Sequence, residues 1–372
     1  MAIHIRKNTQ PMLLSSCLVV AVMASGPRDF RKWGIETLDR VQKELYLPSH
    51  GLYAEEAKPH EAPSNPAFTW SVGVMLQALN AAARVDRSYR GVLQRYVAAI
   101  ESYWNPEGPV PGFDVLPMPK PKDRYYDDNE WMVLALVDAA DILNSKPTLT
   151  LAQDTFRFVM SGEDTKLGGG IYWRESDKAS KNTCSNGPAA AAALALFEKT
   201  DDRSYLHSAE ELYAWTKAHL RDPATGLYWD NVSLDGKVQK WVFSYNTGLM
   251  LRSAAELYRF TKREEYAQDA IEMQSSSLKR WIDPDGSFND DLKFMQLLLE
   301  NWLRAYRLVP GTQDPRPAIA VGLQRLHDLS RDSLGHFGNK CNDTPKAGPY
   351  TPFKLIDQAA AAQAFLAAAA EK

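Results

Sequence analysis

The sequence predicts an all-α protein, an (α/α)6 barrel with six inner helices surrounded by six outer helices. The first observation is an internal repeat: six helical segments each end in a loop where Gly is followed closely by an aromatic residue, at intervals of 49 to 61 residues. The second is that the helix after each loop is more apolar than the helix before it. A helix that is apolar on nearly all sides must be buried, whereas one with a charged face can meet water. No strand-like alternation competes with these patterns.

The more apolar helices are expected to form the inner ring. They are predicted at residues 68–85, 127–143, 185–197, 245–260, 291–307 and 356–370. No linker divides the repeats, so residues 27–372 are expected to form one domain. Every Gly-aromatic loop joins an outer helix to the next inner helix, so all of these loops should meet at one end of the barrel and form a concave surface.

The composition excludes several classes of protein. The chain has 43 Lys and Arg against 46 Asp and Glu, and a net charge of −3 argues against a nucleic-acid partner. The mean hydropathy of −0.38 argues against a polytopic membrane protein. Three cysteines are too few for an all-cysteine zinc site. Cys184 and Cys341 fall in hairpins on different sides of the ring, so we expect two free thiols.

The first 26 residues read as a signal peptide. Basic residues precede an apolar stretch at 12–23, which is too short to span a bilayer, and small residues follow at 24–26. A secreted or periplasmic location is therefore expected. The alternatives are lipidation at the lipobox-like segment 14–17, or a disordered tail.

The loops carry aromatic residues beside Asp and Asn, a combination that suits a carbohydrate. Sugar C–H faces stack on aromatic rings, and sugar hydroxyls need polar partners. The loop residues Trp173, Tyr228, Trp229 and Phe288 are therefore expected to face the concave surface, although Trp and Tyr are also common core residues.

The strongest motif is Tyr-Tyr-Asp-Asp-Asn-Glu-Trp at 125–131, where the second loop enters its inner helix. Two crowded carboxylates cannot both ionise easily, so the pKa of one should rise while that of the other stays low. One member of the pair Asp127 and Asp128 is then expected to be an acid and the other a nucleophile. A retaining glycosidase separates its carboxyls by about 5–5.5 Å and an inverting one by about 6.5–9.5 Å, so adjacency favours retention. The alternative is that these two residues only cap the helix.

A rival pair, Asp290 and Asp291, lies in an ordinary turn, where Asp290 is expected to be an N-cap.

Other chemistries lack their sequence signatures. The chain has no zinc-protease, P-loop or nucleophile-elbow motif. Its seven histidines are scattered, and Trp131 occupies the position where a prenyl-diphosphate enzyme would need a third acid. We therefore expect no metal and no cofactor.

Five motifs resemble glycoside hydrolase family 76, the endo-α-1,6-mannanases. The chain departs from the family pattern at residues 292–295, and at Cys184 where the family has a small residue. The motifs are YYDDNEW at 125–131, GGGIYW at 168–173, KNTCSNG at 181–187, GLYWD at 226–230 and FSYNTG at 243–248.

The resemblance implies an (α/α)6 barrel that cleaves α-1,6-mannan with retention and without a metal. It makes Asp127 the nucleophile and Asp128 the general acid/base. It also implies that three further residues belong to blocks facing the cleft: Asp230, Tyr245 and Asn246.

The remaining site predictions concern residues around the acid pair. Tyr126 would hold one carboxylate by a hydrogen bond, and Trp131 would be either a sugar platform or a core residue. Lys181 would stabilise the negative pair or remain solvated. Contacts with sugar are expected from Trp70, Trp173, Asn182, Asn186 and Asn246.

Two other functions stay open at this point. An unsaturated uronyl hydrolase on the same barrel would need a cationic pocket for the substrate carboxylate, and the six loops show no Arg cluster. A non-catalytic mannan-binding protein could keep the barrel and its aromatic residues. Whether the protein hydrolyses mannan or only binds it, the expected partner is a mannose-containing glycan. The protein is expected to be a monomer.

Overall fold

The computed structural model describes residues 27–120, 122–345 and 351–371, so the predicted signal peptide lies outside the described residues. Within these ranges, outer and inner helices alternate along the chain. The outer helices are α1 (Pro27–Glu44), α3 (Tyr89–Ile100), α5 (Lys146–Met160), α7 (Arg203–Leu220), α9 (Glu264–Trp281) and α11 (Arg316–Leu329). The inner helices are α2 (Thr69–Val85), α4 (Tyr126–Leu143), α6 (Thr183–Thr200), α8 (Ser244–Thr261), α10 (Leu292–Leu308) and α12 (Leu355–Ala370).

The inner helices form a closed ring. Each packs against the next inner helix along the chain, and α12 packs against α2 to complete the circle. Outer helices cover this ring, with α3 on α2, α5 on α4, α7 on α6, α9 on α8 and α1 on α12. The predicted (α/α)6 barrel is confirmed, and the largest difference from the predicted boundaries is at α6, which is two residues longer at its start and three at its end.

Small residues let the inner helices approach closely. The run from Ala189 to Ala193 in α6 is fully buried, and alanine favours the helix while adding little bulk. Glycines lie at three contacts between neighbouring inner helices: Gly73 faces Trp131, Gly187 faces Met250, and Gly248 faces Leu298. At Gly248 a Cβ atom would lie 3.0 Å from the Cα of Leu298, so backbone meets backbone there.

Replacing Gly248 by alanine is expected to destabilise the barrel by about 1–3 kcal/mol, because overpacking must push α8 away from α10. Urea unfolding would measure the free energy of unfolding. The control is Gly91→Ala on the exposed side of α3, where the new Cβ meets only the end of the Arg95 side chain at 3.5 Å. That change should stabilise by up to about 1 kcal/mol through helix propensity. Equal effects at both sites would contradict the close packing.

Short strands stiffen the loops at one end of the barrel. Strands β1 (Tyr46–Leu47) and β2 (Leu52–Tyr53) pair in the first loop, and β4 (Trp104–Asn105) and β5 (Gly112–Phe113) pair in the second. Strand β3 (Glu56–Ala57) pairs with β9 (Phe353–Lys354), which ties the first loop to the last. Strands β6 (Ser180–Asn182), β7 (Trp229–Ser233) and β8 (Val238–Val242) form one antiparallel sheet across the third and fourth loops.

Amide side chains anchor three loops to the inner ring in the same way. The fourth residue of α4, α6 and α12 is Asn129, Asn186 and Gln358, respectively. Each of these amide side chains accepts the backbone N–H of one loop residue and donates to the carbonyl of that same residue, at 2.7–3.0 Å. The loop residues are Phe113, Ile171 and Phe337, in the same order. These residues follow the repeated glycines, so the clamps explain why the loops share one geometry.

Candidate active site

A cleft of about 610 Å³ opens at the loop end of the barrel. The second residue of each of four inner helices lines it, because equivalent positions on helices in a ring point toward the same axis: Trp70, Asp127, Cys184 and Tyr245. Its other lining residues come from the loops and the first two turns of the helices: Phe68, Val115, Tyr125, Asp128, Trp131, Trp173, Ser180, Asn182, Asp230, Asn231 and Phe294.

Asp127 is held in place by hydrogen bonds to both carboxylate oxygens. Its Oδ1 accepts the backbone N–H of Asp128 at 3.0 Å, and its Oδ2 accepts the indole Nε1–H of Trp173 at 2.9 Å. The Cys184 Sγ lies 3.6 Å from the same Oδ2. Asp127 and Asp128 are in the first turn of α4, where the helix dipole favours negative charge. The result is a carboxylate with a restricted orientation.

The two acids have different ionisation properties. Desolvation raises the pKa of Asp127 to about 6, and the hydrogen bonds from Trp173, the Asp128 backbone and Cys184 oppose that rise. The pKa of Asp128 is raised well above its usual range, first by desolvation and then by the negative charges of Asp127 and Asp123. Near neutral pH, Asp127 is therefore the carboxylate and Asp128 keeps its proton.

Trp173 is fixed at the wall of the cleft while its ring stays 42% exposed. Its backbone carbonyl accepts the N–H of Tyr126 at 3.0 Å. Its ring meets the Tyr125 ring edge-on at 5.1 Å, and the Arg174 guanidinium lies 4.9 Å from the centre of that Tyr125 ring. Trp173 can therefore position Asp127 and still offer an aromatic face to a ligand.

A row of aromatic rings forms the opposite wall and the floor. Phe294 stacks on Tyr245 at 4.5 Å and on Trp70 at 5.8 Å, so it joins rings from α8, α10 and α2. Trp131 lies four residues after Asp127 on the same face of α4 and contacts Trp70 one turn deeper. Trp131 is only 2% exposed, so it serves as the floor of the cleft and as part of the core.

The structure brings six of the ten predicted binding residues to the cleft and leaves four inside the protein. The six are Trp70, Trp131, Trp173, Asn182, Asp230 and Tyr245. Asn182 accepts the Ser180 hydroxyl at 2.7 Å, and Asp230 accepts the Asn231 amide at 2.8 Å. Desolvation raises the pKa of Asp230, which favours the neutral form of this carboxyl relative to an exposed one, while the hydrogen bond from Asn231 opposes the rise.

The positions of the other four residues correct the sequence prediction. Tyr126 begins α4 and stacks on Phe158 at 5.0 Å in the core, so it does not hold a carboxylate of the pair. Asn186 is one of the loop clamps, and Asn246 is fully buried in α8. Successive helix residues turn by 100°, so Asn246 points away from the cleft that its neighbour Tyr245 lines.

Lys181 is the fourth of these residues, and it organises a loop. Its ammonium group is fully buried and lies 2.8 Å from Oδ1 of Asp164. The same group donates to the backbone carbonyls of Asp164, Lys166 and Gly169 at 2.5–3.2 Å. Desolvation raises the pKa of Asp164, but the hydrogen bonds from Lys181 and Tyr172 outweigh it and bring the value to about 2. Lys181 therefore neither stabilises the acid pair nor remains solvated.

Replacing Lys181 by methionine is expected to destabilise the protein by about 3 kcal/mol, because it leaves several acceptors without their buried donor. The midpoint of thermal unfolding would report the loss. The exposed Lys32, in an i,i+4 pair with Glu36 at 3.8 Å, provides the control, since Lys32→Met should change stability by less than about 0.5 kcal/mol. An unfolding midpoint unchanged by Lys181→Met would contradict the clamp.

Several loop residues also differ from expectation. Tyr228 and Phe288 are buried, and Trp229 lines a separate groove beside α7 and α9, so of the four loop aromatics only Trp173 lines the cleft.

The second acid pair has a different position from the one expected. Asp290 accepts the backbone N–H of Ser244 at 2.9 Å, which places it at the start of α8, and Asp291 is the N-cap residue of α10. The rival acid pair is thus structural.

Three residues near the acid pair escaped the sequence prediction. Phe294 and Cys184 line the cleft, and both stand where the chain departs from the family pattern. Glu130 is fully buried, and its carboxylate oxygens accept no hydrogen bond from any residue that the structure describes. Desolvation raises its pKa well above the usual range. The helical position that Cys184 shares with Asp127 is the signal that could have identified it. Cys184 and Cys341 are free thiols, as predicted.

In residues 27–120, 122–345 and 351–371, no three His, Cys, Asp or Glu side chains are grouped so that they could hold a metal ion. Across the same residues, no helix has the length and apolar character needed to cross a bilayer.

Comparison with known proteins identifies a consistent set of relatives. A family model described as glycosyl hydrolase family 76 matches residues 44–371. Among curated proteins, the mannan endo-1,6-alpha-mannosidase DCW1 of Candida glabrata is 32% identical over 164 residues, which is 40% of this chain and 37% of that protein. DCW1 of Saccharomyces cerevisiae is 31% identical over 164 residues, and the match covers 40% of this chain and 36% of that protein. The chain thus spans little more than a third of the length of these curated relatives.

Solved structures are similar over nearly the whole barrel. The GH76 α-mannanase BT2949 of Bacteroides thetaiotaomicron has a TM-score of 0.85 and 28% identity, with 92% of this chain and 96% of that chain covered. An inactive variant of the α-1,6-mannanase GH76A of Salegentibacter sp., with two consecutive aspartates replaced by alanine, was solved with α-1,6-mannotetrose. It has a TM-score of 0.76 and 25% identity, and the match covers 92% of this chain and 99% of that chain.

Proposed function

The chain belongs to glycosyl hydrolase family 76, and we propose on that premise that it hydrolyses α-1,6-linked mannan by a retaining double displacement. The observation that carries the proposal is a pair of adjacent acids with different pKa values in a cleft lined by aromatic rings. The inactive double-aspartate variant of the Salegentibacter α-1,6-mannanase supports the same use of two neighbouring carboxyls.

Asp127 is the proposed nucleophile. It carries the negative charge near neutral pH, and the hydrogen bonds from Trp173 and the Asp128 backbone fix its orientation. Its carboxylate oxygen would form a bond to the anomeric carbon of a mannosyl unit while the bond from that carbon to the departing 6-oxygen breaks. The product of this step is a mannosyl-enzyme.

Asp128 is the proposed general acid and base. Its proton, retained because its pKa is raised, would pass to the departing 6-oxygen. The resulting Asp128 carboxylate would then take a proton from a water molecule as the water oxygen attacks the anomeric carbon. The bond to Asp127 breaks, and the glycan is released with the original anomeric configuration at its new reducing-end mannose.

Other side chains of the cleft suit a neutral sugar. Trp173 and the row formed by Trp70, Phe294 and Tyr245 offer aromatic faces, and Asn182 and Asp230 offer hydrogen-bonding groups. The described residues that line the cleft include no Lys or Arg. This favours mannan over the substrate of an unsaturated uronyl hydrolase, whose carboxylate would need a cationic partner.

The deciding experiment is incubation with unbranched α-1,6-mannan followed by NMR. Release of oligosaccharides whose first-formed reducing ends are α-anomers is expected. A first-formed β-anomer would disprove retention, and failure to release any product would disprove the hydrolase. Binding of mannan without product release would instead support the alternative of a non-catalytic mannan-binding protein.

We further propose that the protein is secreted or periplasmic and acts as a monomer. The basic, apolar and small-residue segments of positions 1–26 motivate the first part. Expression of the full chain, with N-terminal sequencing of the exported product, would test the cleavage. Light scattering would measure the molar mass in solution. A protein retained with its N-terminus intact, or a dimeric mass, would contradict the respective part.

A further inference from the structure

A second cavity of about 440 Å³ adjoins the cleft at the same end of the barrel. Phe68 and Trp70 line both spaces, so these two side chains form the boundary between them. Among the described residues, the second cavity continues between α10, α12 and residues 336–339 and 351–354, and its lining includes neither Asp127 nor Asp128. Its volume is within the range of about 300–1,000 Å³ that is usual for small-molecule sites.

Two residues of the cavity wall carry buried polar atoms that have no hydrogen-bond partner among the described residues. Asp357, the third residue of α12, is 5% exposed, and its Oδ1 makes no hydrogen bond with any described residue. The Trp70 Nε1–H is likewise buried and without a partner. Burying an acceptor or a donor without a partner is unfavourable, so a ligand that supplied both missing bonds would bind here.

Two other polar side chains of the cavity wall already have partners. Lys293 donates to Asp291 at 2.9 Å and to Asn339 at 2.7 Å, and Glu55 accepts the backbone N–H of Phe68 at 3.1 Å. The cavity is lined by three carboxyl groups, those of Glu55, Asp332 and Asp357, and by the ammonium groups of Lys293 and Lys354. Because the acids outnumber the lysines and Lys293 is already paired with Asp291, the lining does not favour an anionic ligand.

Apolar surface completes the site. Phe68 is 47% exposed, and the Phe353 ring is held in place by stacking on His336 at 3.8 Å. A ligand with apolar C–H faces, hydroxyl donors for Asp357 and oxygen acceptors for Trp70 matches these walls, and a neutral pyranose has all three.

From these contacts we propose that the second cavity is a distal subsite, in which Asp357 and Trp70 bind a neutral sugar unit of the same glycan chain whose cleavage site lies at Asp127. This inference rests on the proposed function, because it takes the ligand of the cleft to be a mannan. It makes Asp357 a specificity residue for chain length, remote from the acids that react.

The test compares α-1,6-mannotriose with α-1,6-mannohexaose as substrates for the full chain and its variants. In Asp357→Ala, kcat/KM for the hexasaccharide should fall about tenfold, because one hydrogen bond to a charged group is lost. The value for the trisaccharide should stay within about twofold of the unchanged enzyme, since the distal unit is absent. Asp357→Asn keeps an acceptor oxygen and should recover most of the loss. Asp328→Ala, on the exposed part of α11, is the matched control.

An equal loss on both substrates, or no loss on either, would overturn the distal subsite. Calorimetry provides a second measurement that does not depend on turnover, with both Asp127 and Asp128 replaced by asparagine. In that background, adding Asp357→Ala should weaken binding of the hexasaccharide and leave the trisaccharide unchanged. If the unchanged enzyme cleaves neither substrate, the proposed hydrolase fails, and the binding measurement still decides whether Asp357 contacts a sugar.

Discussion

Replacing either Asp127 or Asp128 by alanine is expected to lower kcat/KM on α-1,6-mannan about a thousandfold or more. Loss of Asp127 removes the nucleophile, and loss of Asp128 removes the proton donor to the departing oxygen. Neither side chain caps the helix, because the N-cap residue of α4 is Tyr125, and it makes no side-chain cap hydrogen bond. Initial rates of reducing-sugar release measure the effect, and circular dichroism checks that each variant is folded.

Azide should distinguish the two roles. With an activated aryl α-mannoside, the Asp128→Ala enzyme still forms the mannosyl-enzyme, and azide should capture it as the α-mannosyl azide. In Asp127→Ala, azide would attack the substrate directly and give the β-mannosyl azide. Asp235→Ala, in the exposed turn between β7 and β8, is the control and should retain full activity. If the two azide products had the opposite configurations, Asp128 would be the nucleophile and Asp127 the general acid/base. If either variant kept the wild-type rate, the two residues would not act as a catalytic pair.

Replacing Trp173 by phenylalanine is expected to move the acid limb of the pH profile of kcat/KM about one unit toward higher pH. The Nε1–H of Trp173 stabilises the ionised form of Asp127, whose pKa is about 6, so loss of this donor raises that pKa further. Since the nucleophile must be ionised, activity below about pH 6 should fall about tenfold, and activity on the alkaline side of the limb should fall much less.

Two other variants check this interpretation. Cys184→Ala removes a weaker and longer donor to the same Asp127 oxygen, so it should shift the limb in the same direction by a smaller amount. Trp241→Phe changes a Trp that is 61% exposed and is not a lining residue of the cleft, and it should leave the limb in place. A uniform loss of rate across all pH values in Trp173→Phe would mean that Trp173 contributes only sugar stacking.

Much of the architecture followed from the sequence alone. The Gly-aromatic repeat and the difference between charged and apolar helices identified the two rings, and up-down connectivity put every loop at one end. The acid pair could be located because it stands in the first turn of an inner helix. These features depend on local patterns and on repetition along the chain, which remain visible without coordinates.

The face of each inner helix that meets the cleft was decided only by the tertiary structure. A turn of 100° per residue separates Tyr245, which lines the cleft, from Asn246, which is buried beside it, although the motif contains both. The same geometry turns Tyr126 and Asn186 away from the cleft and brings the buried Cys184 to its wall. The role of Phe294 also depends on packing between hairpins, since its partner Tyr245 lies on another inner helix. The role of Lys181 depends on the fold of its own loop, because its partners lie 12 to 17 residues earlier in the chain. Local pattern therefore determined which segments meet, and the rotation of each helix within the closed ring determined which side chains reach the sugar.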